Sequence, residues 1–290
     1  MKLYYCNINN FGDILNEYIF KTCFNIETEF ASSWEADAIG IGSIMDRCLL
    51  QIRDTIPFIL DKLFNFKKPL YILSSGFGHP TVHYTKKPRF YHSAVLKRKI
   101  LPVSLRGHLT KNQLDIIVSS SGERGKLKPP VLGDLGLLSY KLVEDIPYEP
   151  VYKIGICPHY GEKHYPVFNK ILKENAPSIM LDTLDNPIEF LIKMKQCKTV
   201  ISSGLHPLIA ADSLGIPNLW VRVSEGQQIH KFKDYYSVFN IDPKPCYIND
   251  TTVDEEIIKS AYKIDNKELK MKQKELFDVH KTFFSETGLN

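Results

Sequence analysis

Residues 200–217 read VISSGLHPLIAADSLGIP and form the most informative segment of the chain. An apolar run leads into a small polar turn at residues 202–204, and an apolar helical pattern follows it. Pro207 suits the first turn of a helix, and Gly215 suits its end. A new apolar run begins at Asn218, so the segment is typical of a strand–helix–strand unit in a parallel sheet.

The same alternation of short apolar runs and amphipathic stretches continues along the chain, which is typical of a parallel α/β protein. Segment 143–152 interrupts it with two prolines, three acidic residues and no periodicity, and a new strand pattern follows directly. We therefore predict an α/β fold with two Rossmann-like domains facing a cleft, residues 1–146 and 147–290. A Lys-rich helical tail, residues 255–284, is expected to pack onto the body. Strands are predicted at residues 2–7, 36–41, 69–73, 101–105, 151–157, 178–181, 199–201 and 218–221, with a further one at 116–118.

The composition is that of a globular protein rather than a nucleic-acid-binding or disordered one. Of the 290 residues, 43% are hydrophobic and 24% are charged, with a net charge of +4. Basic residues form no long run and no nucleic-acid-binding motif is present, so nucleic acid is not an expected partner. The mild positive charge suits small anionic substrates or an anionic membrane surface.

Targeting and redox features indicate a cytoplasmic protein. The N-terminus turns polar at Asn7 without a signal-peptide pattern, and no apolar run is long enough to cross a bilayer. The six cysteines, at positions 6, 23, 48, 157, 197 and 246, form no CxxC pair. Free thiols are therefore expected, and a metal site is not.

Two turns in the first half carry candidate ligand-binding residues. After the first strand, Asn10 precedes Gly12, which permits a tight turn, and Asp13, which suits the N-cap of the next helix. The backbone N–H groups of such a turn face a ligand, although a purely structural turn explains the pattern equally well. Arg106 follows a strand and precedes Gly107, a position from which it can bind an anion in bidentate fashion or form an ordinary salt bridge. Asp134 is expected to cap a helix.

Two histidines at strand ends are candidates for proton transfer. His159 and Tyr160 end a buried strand, where a histidine that titrates near neutral pH is useful, although a loop position without a role is the alternative. His206 stands at the start of a helix, whose dipole disfavours the charged imidazolium. A buried structural histidine is the alternative there.

Taken in order, these elements resemble the polysaccharide pyruvyl transferase family. The resembling motifs are Asn-x-Gly-Asp at 10–13, the glycine–serine turn at 40–43, Arg-Gly-x-x-Thr at 106–110, Gly-Asp-x-x-Leu-Leu at 133–138, Pro-His-Tyr at 158–160, Ser-x-x-His with a later Gly-x-Pro at 203–217, and Lys-Phe-x-Asp-Tyr-Tyr-Ser at 231–237. Three positions depart from the family pattern. Gly204 stands where many members have an Arg that helps hold the donor phosphate, Pro207 replaces Gly, and Leu135 replaces Pro.

The resemblance implies a two-domain, GT-B-like enzyme that moves the enolpyruvyl group of phosphoenolpyruvate onto two hydroxyls of a hexose, forming a pyruvate ketal and releasing phosphate. The acceptor is then a lipid-linked or oligosaccharide precursor of capsule, exopolysaccharide or O-antigen. Phosphoenolpyruvate is the donor, and no other cofactor is expected. A transient contact with the inner membrane surface is expected through lysines of the tail, of which the candidates are Lys267, Lys270, Lys272 and Lys274.

Roles for the candidate residues follow from that reaction. Protonation of the donor methylene needs a general acid, for which His206 is the first candidate and His159 the second. The predicted donor-binding residues are Arg106, Ser203, Gly204 and Leu205. The predicted acceptor or cleft residues are Asn10, Gly12, Asp13, Asp134 and Tyr160.

Two other functions are compatible with the sequence. A GT-B-type glycosyltransferase would share both Rossmann-like halves and place Asp182 or Asp185 on the ribose of a sugar nucleotide. A catalytically silent relative acting as a binding subunit is favoured by Gly204 but not by the retained His206, His159 and Arg106.

Overall fold

Two parallel β-sheets, each flanked by helices, make up the fold. The computed structural model describes residues 1–33, 35–50, 68–80, 98–120, 130–226, 228–248 and 253–289. The prediction of an α/β protein with two Rossmann-like sheets is confirmed.

The first sheet has six strands in the order β2-β1-β3-β4-β5-β6. Its strands are β1 (Lys2–Tyr4), β2 (Glu29–Phe30), β3 (Ala38–Ile39), β4 (Leu70–Ser75), β5 (Ile100–Leu105) and β6 (Val131–Leu132). Every neighbouring pair is parallel, with Leu3 opposite Ala38 and Leu70 opposite Ile100. Parallel strands covered by helices on both faces are apolar throughout, which explains the continuous apolar runs in the sequence.

The second sheet has five parallel strands in the order β11-β10-β9-β7-β8. These strands are β7 (Tyr152–Cys157), β8 (Ser178–Met180), β9 (Cys197–Ser202), β10 (Asn218–Arg222) and β11 (Cys246–Tyr247). Gly155 lies opposite Ile179 on one side and Val200 on the other. The two-residue strands β2 and β11 were not predicted.

The helices connect the strands and cover both faces of the sheets. They are α1 (Phe11–Phe24), α2 (Met45–Leu50), α3 (His108–Ser120), α4 (Pro166–Glu174), α5 (Pro187–Lys195), α6 (Leu205–Ser213), α7 (Ile229–Tyr236), α8 (Glu255–Lys259) and α9 (Asn266–Thr287), with 3₁₀ turns at Leu135–Val143, Tyr160–Glu162 and Ser237–Phe239.

One predicted strand is wrong. Residues 116–118 lie inside α3, where Ile117 is buried and Ile116 is 59% exposed. Leu114 and Ile117, three residues apart, face the core together, as the helical period requires. A short apolar run does not by itself distinguish a strand from one face of a helix.

The last helix, α9, packs against the first sheet although it follows the second sheet in the chain. Phe283 lies edge-on to Tyr71 of β4, with ring centroids 4.7 Å apart. Buried His280 bonds Ser104 of β5 through Nε2 (3.0 Å) and the carbonyl of Leu276 through Nδ1 (2.7 Å). One continuous apolar core therefore joins residues of both sheets, and the domain division at 146/147 stays a prediction.

A buried ion pair connects the two halves. Arg106 follows β5, and its Nε donates to Asp234 of α7 at 2.9 Å, with the two side chains 1% and 0% exposed. Asp234 also accepts hydrogen bonds from the backbone N–H and the hydroxyl of Thr110, at 2.8 and 2.6 Å. Gly107 allows this close approach, because a Cβ atom there would overlap the backbone carbonyl of Asp234.

The remaining nitrogens of Arg106 are also engaged. Nη1 donates to Ser43 and Nη2 donates to the carbonyl of Phe77, each at 2.5 Å. The guanidinium is therefore held by partners from three separate segments of the chain. These hydrogen bonds and the ion pair offset the free-energy cost of removing the guanidinium charge from water.

We expect Asp234→Asn to lower the free energy of unfolding by about 3–5 kcal/mol, because it leaves the buried Arg106 charge without its counter-ion. Asp278→Asn is the matched control, since Asp278 pairs with Lys274 on the exposed face of α9. That change should cost no more than about 1 kcal/mol. Chemical denaturation of both variants measures the difference, and equal losses would contradict the role given to the pair.

Candidate functional site

A cavity of about 530 Å³ opens where the carboxyl ends of strands from both sheets meet. The loops after β1, β3, β7, β8, β9 and β10 all contribute to its lining. In the first sheet the strand order reverses at β1 and β3, and in the second at β7 and β9. Ligands of open α/β sheets bind at such reversal points, and the volume suits a small-molecule site.

The loop after β1 forms one wall of the cavity. Asn10 is the N-cap of α1, and its side-chain oxygen accepts the backbone N–H groups of Gly12 (3.0 Å) and Asp13 (3.3 Å). The predicted N-cap role of Asp13 is therefore wrong, because Asp13 lies in the first turn of the helix. Its carboxylate instead accepts a hydrogen bond from the Asn10 amide and lines the cavity. Burial raises the pKa of Asp13 to about 7, although the Asn10 hydrogen bond opposes this shift.

The loop after β9 forms a second wall, which meets the first. Ser202 accepts the N–H of Gly204 at 2.9 Å and donates to the carbonyl of Cys157 at 2.7 Å, which fixes the turn before α6. Gly204 is the N-cap of α6, and His206 lies in its first turn, as predicted. Ser203 is buried, and its hydroxyl accepts the N–H of His159 at 2.9 Å, so this turn also holds the loop after β7.

His206 sits directly against Gly12 of the other half. A Cβ atom at position 12 would overlap the imidazole ring, so only glycine permits this contact. Burial, followed by the positive charges of Lys231 and Arg106, lowers the pKa of His206 to about 3. Within the part of the chain that the structure describes, the ring makes no hydrogen bond to another residue. His206 is therefore a neutral imidazole at pH 7 that borders the cavity with its ring nitrogens uncommitted.

His159 and Tyr160 form the mouth of the cavity. Their rings lie 4.5 Å apart at 37°, and Tyr160 is 48% exposed. Nδ1 of His159 accepts the N–H of Gly161 at 3.3 Å. Burial, followed by the charge of Lys231, lowers the pKa of His159 to about 4. Both residues are therefore placed to meet a ligand, and His159 is neutral at pH 7.

Lys231 is the main site residue that the sequence did not single out. It lies on α7 and lines the cavity, and the described residues offer it no carboxylate within ion-pairing distance. Burial, followed by the charge of Arg106, lowers its pKa to about 8, while Glu162 and Asp13 favour the charged form. Its place in the family-like segment 231–237 was the sequence signal that could have identified it. Arg47 of α2 is exposed and adds a second cation to the lining.

The structure brings most of the predicted site residues together but leaves three outside the cavity lining. Those that line it are Asn10, Gly12, Asp13, His159, Tyr160, Gly204, Leu205 and His206. Arg106 lies behind it, with all its nitrogens bonded within the protein, and its direct contact with a donor stays a prediction. Ser203 holds His159, and fully buried Asp134 caps the 3₁₀ turn Leu135–Val143 by accepting the N–H of Gly136 at 2.8 Å.

Within the described ranges, no group of three or more His, Cys, Asp or Glu side chains is arranged to hold a metal ion. None of the helices within those ranges combines the length and the apolar character that crossing a membrane requires. Cofactor use and location in the cell stay predictions.

A second cavity, of about 720 Å³, lies between α9 and the 3₁₀ turn Leu135–Val143. Its lining includes Lys141, Lys195, Lys270 and Lys274 but none of the predicted site residues. The convergence of strand ends, histidines and buried titratable groups singles out the first cavity as the candidate active site.

Comparison with known proteins identifies the family of the chain. The polysaccharide pyruvyl transferase family matches residues 1–225, which is most of the chain. The chain belongs to the polysaccharide pyruvyl transferase family. It is thereby a member of a family of transferases with a pyruvyl-transfer role in polysaccharide biosynthesis.

Two relatives extend the comparison. Succinoglycan biosynthesis protein ExoV of Rhizobium meliloti (strain 1021) is 24% identical over 269 residues, covering 90% of this chain and 72% of that protein. Uncharacterized protein L143 of Acanthamoeba polyphaga mimivirus is 38% identical over 118 residues, covering 38% of this chain and 40% of that protein. The chain thus matches about two fifths of the length of the viral relative.

Among solved structures, a functionally uncharacterized protein, KP1_0663 from Klebsiella pneumoniae subsp. pneumoniae NTUH-K2044, matches with a TM-score of 0.43 and 17% identity. The match covers 85% of this chain and 92% of that one. The two parallel sheets of this pyruvyl transferase family member define it as an α/β protein.

We expect the His206 ring of this family member to stay neutral from about pH 8 to pH 5 in the absence of ligand, because a pKa of about 3 leaves it uncharged throughout that range. The Cε1–H resonance, assigned by its loss in the His206→Gln spectrum, should therefore show no titration step there. A midpoint near the ordinary histidine value would contradict the environment described for this ring.

Proposed function

We propose that the chain transfers the pyruvyl group of phosphoenolpyruvate to two hydroxyls of a hexose in a surface-polysaccharide precursor, forming a ketal and releasing phosphate. The observation that carries the proposal is the pairing, in one cavity, of His206 and the cation Lys231. Family membership supplies the class of reaction.

The donor is held by cations and backbone N–H groups at one end of the cavity. Phosphoenolpyruvate carries a phosphate and a carboxylate, which a lysine ammonium and the N-terminus of α6 both favour. Lys231 thus supplies the positive charge for which many family members use an Arg at the position of Gly204. Arg106 contributes through its charge and through Ser43, which it holds at the cavity lining.

The reaction begins with proton addition to the donor. The imidazolium of His206 gives a proton to the methylene carbon, which becomes the methyl group, and positive charge develops at C2. One acceptor hydroxyl forms a bond to C2 and loses its proton. The second hydroxyl then adds to C2 as the C2–O bond to phosphate breaks. Of the two hydroxyl protons, one replaces the proton given by His206 and the other leaves with phosphate.

His206 becomes an acid only when the donor is bound. Without donor, burial and the nearby positive charges keep the ring neutral. A bound dianionic or trianionic donor neutralises Lys231 and places negative charge beside the ring, and both effects raise the pKa of the imidazole. Protonation of His206 is thus coupled to donor binding, so the imidazolium forms only when the donor is in the cavity.

Asp13 is the proposed base for an acceptor hydroxyl. It lines the same cavity, and burial raises its pKa to about 7, which is suited to accepting and releasing a proton near neutral pH. Tyr160 and Asn10 stay in the acceptor half of the site. Asp134 is too deeply buried at its capping position to take part.

The glycosyltransferase alternative is less well supported. The two carboxylates proposed for a nucleotide ribose are engaged elsewhere, Asp182 with Lys163 and Asp185 with Lys193. The silent-relative alternative loses its main argument once Lys231 replaces the missing arginine charge. Membrane contact by the tail stays a prediction, and two of its four candidate lysines, Lys272 and Lys274, pair with acids on α9.

We expect phosphoenolpyruvate, and not UDP, GDP or CDP, to raise the melting temperature of the protein, because a ligand that binds only the folded state stabilises it. Lys231→Met should weaken phosphoenolpyruvate binding by about 10- to 100-fold, which is the loss of one charge-assisted contact. Lys233→Met is the matched control, because Lys233 is exposed on the same helix. Stabilisation by a nucleotide alone would support the glycosyltransferase instead.

We expect His206→Gln to lower the rate of phosphate release from phosphoenolpyruvate by at least about 100-fold with a panel of hexopyranoside acceptors, because the proton donor is lost. His108→Gln, on the exposed start of α3, is the control. A correctly folded His206→Gln protein with full activity would remove His206 from the acid role. The same assay on His159→Gln then tests the second candidate.

A further inference from the structure

Two buried polar atoms in the cavity wall lack hydrogen-bond partners. Oε2 of Glu162 and Oγ1 of Thr183 are both inaccessible to solvent and unbonded in the described structure. Both residues line the same cavity as His206 and Lys231. Leaving such groups unsatisfied lowers the stability of the protein, most of all for a charged group, so a partner from a ligand is expected.

Both residues are firmly positioned. Thr183 is 6% exposed, and its carbonyl accepts the N–H of Phe11 at 2.6 Å, which ties it to the start of α1 in the other half. Glu162 ends the 3₁₀ turn after β7, and its N–H donates to the carbonyl of His159 at 2.7 Å. Its Oε1 accepts a weak hydrogen bond from Ser224 at 3.4 Å. The free oxygens are therefore not the ends of mobile surface side chains.

The hydrogen-bonding capacity of these two oxygens indicates which substrate they bind. A carboxylate oxygen only accepts hydrogen bonds, so the group beside Oε2 of Glu162 must be a donor. Phosphoenolpyruvate in its fully ionised form offers acceptor oxygens only, and its negative charge is repelled by Glu162. A hydroxyl of the other substrate satisfies Glu162, and it satisfies Thr183 as well, because the Thr183 hydroxyl both donates and accepts.

We propose that Glu162 and Thr183 form the hydroxyl-binding subsite for the acceptor sugar, with the exposed ring of Tyr160 as the surface against which the sugar ring packs. This inference rests on the proposed function, because it takes the cationic end of the cavity around Lys231 as the donor site. The acceptor that fits is a neutral hexopyranose with free hydroxyls. A uronic acid is disfavoured, because its carboxylate would face the carboxylate of Glu162.

The test compares binding of methyl β-D-galactopyranoside, methyl β-D-glucopyranoside and methyl β-D-glucuronide by saturation-transfer NMR, with phosphoenolpyruvate affinity measured by calorimetry. Glu162→Met and Thr183→Val remove the two oxygens with little change in volume. Each should weaken binding of the neutral hexosides by at least about tenfold. Thr183→Val should leave phosphoenolpyruvate affinity within about twofold, and Glu162→Met should not weaken it, because that change removes a carboxylate that repels the donor. Thr183→Ser keeps the hydroxyl and should retain binding. Glu174→Met, exposed at the end of α4, is the matched control.

Each outcome separates the subsite from the donor chemistry. Undiminished hexoside binding by both variants overturns the subsite, and so does a native protein that binds phosphoenolpyruvate but none of the neutral hexosides. Preferred binding of the glucuronide also overturns it. A native protein that binds neutral hexosides through Glu162 and Thr183 but does not bind phosphoenolpyruvate keeps the subsite and rejects the proposed donor.

Discussion

The buried ion pair between Arg106 and Asp234 is the constraint on which the arrangement of the site depends. Asp234 lies three residues after Lys231 on α7, so both side chains lie on neighbouring positions of one helix face. Fixing Asp234 against the first half of the molecule therefore also fixes where the Lys231 ammonium reaches the cavity. Through its second nitrogen Arg106 holds Ser43, another lining residue. The buried guanidinium of Arg106 does not line the cavity, yet it fixes the positions of two residues that do, Ser43 and Lys231.

Much of the fold and half of the site follow from local rules. Short apolar runs that end in small polar turns predicted the main strands and placed Asn10, Gly12, His159 and His206 at strand ends. Because parallel strands share the direction of their carboxyl ends, residues far apart in the chain were expected to meet at one edge. The region 116–118 was misassigned because three apolar residues fit either a strand or one helix face. The shared burial of Leu114 and Ile117, three residues apart, identifies a helix face.

The other half of the site depends on tertiary contacts that leave no local pattern. Lys231 and Lys233 are two residues apart on the same polar helix, yet one lines the cavity and the other faces solvent. Arg106 at a strand end has the same sequence signature whether it grips a substrate or an internal aspartate, and the choice depends on Asp234, 128 residues away. Glu162 and Thr183 were identified as ligand-binding candidates only because one side-chain oxygen of each is buried without a hydrogen-bond partner. A missing hydrogen-bond partner of this kind can be recognised only in the folded structure.

The position of α9 has a consequence for how the chain is made. This helix follows both sheets in the chain, yet its aromatic side chains cover the face of the first sheet around Tyr71, and His280 bonds Ser104. During synthesis the strands of that sheet leave the ribosome before α9 does. Their apolar face therefore stays uncovered until α9 has been made and packs onto it. Early-made surface of this kind is vulnerable to association with other chains until it is covered. The first sheet is therefore completed only after the strands of the second sheet have been translated.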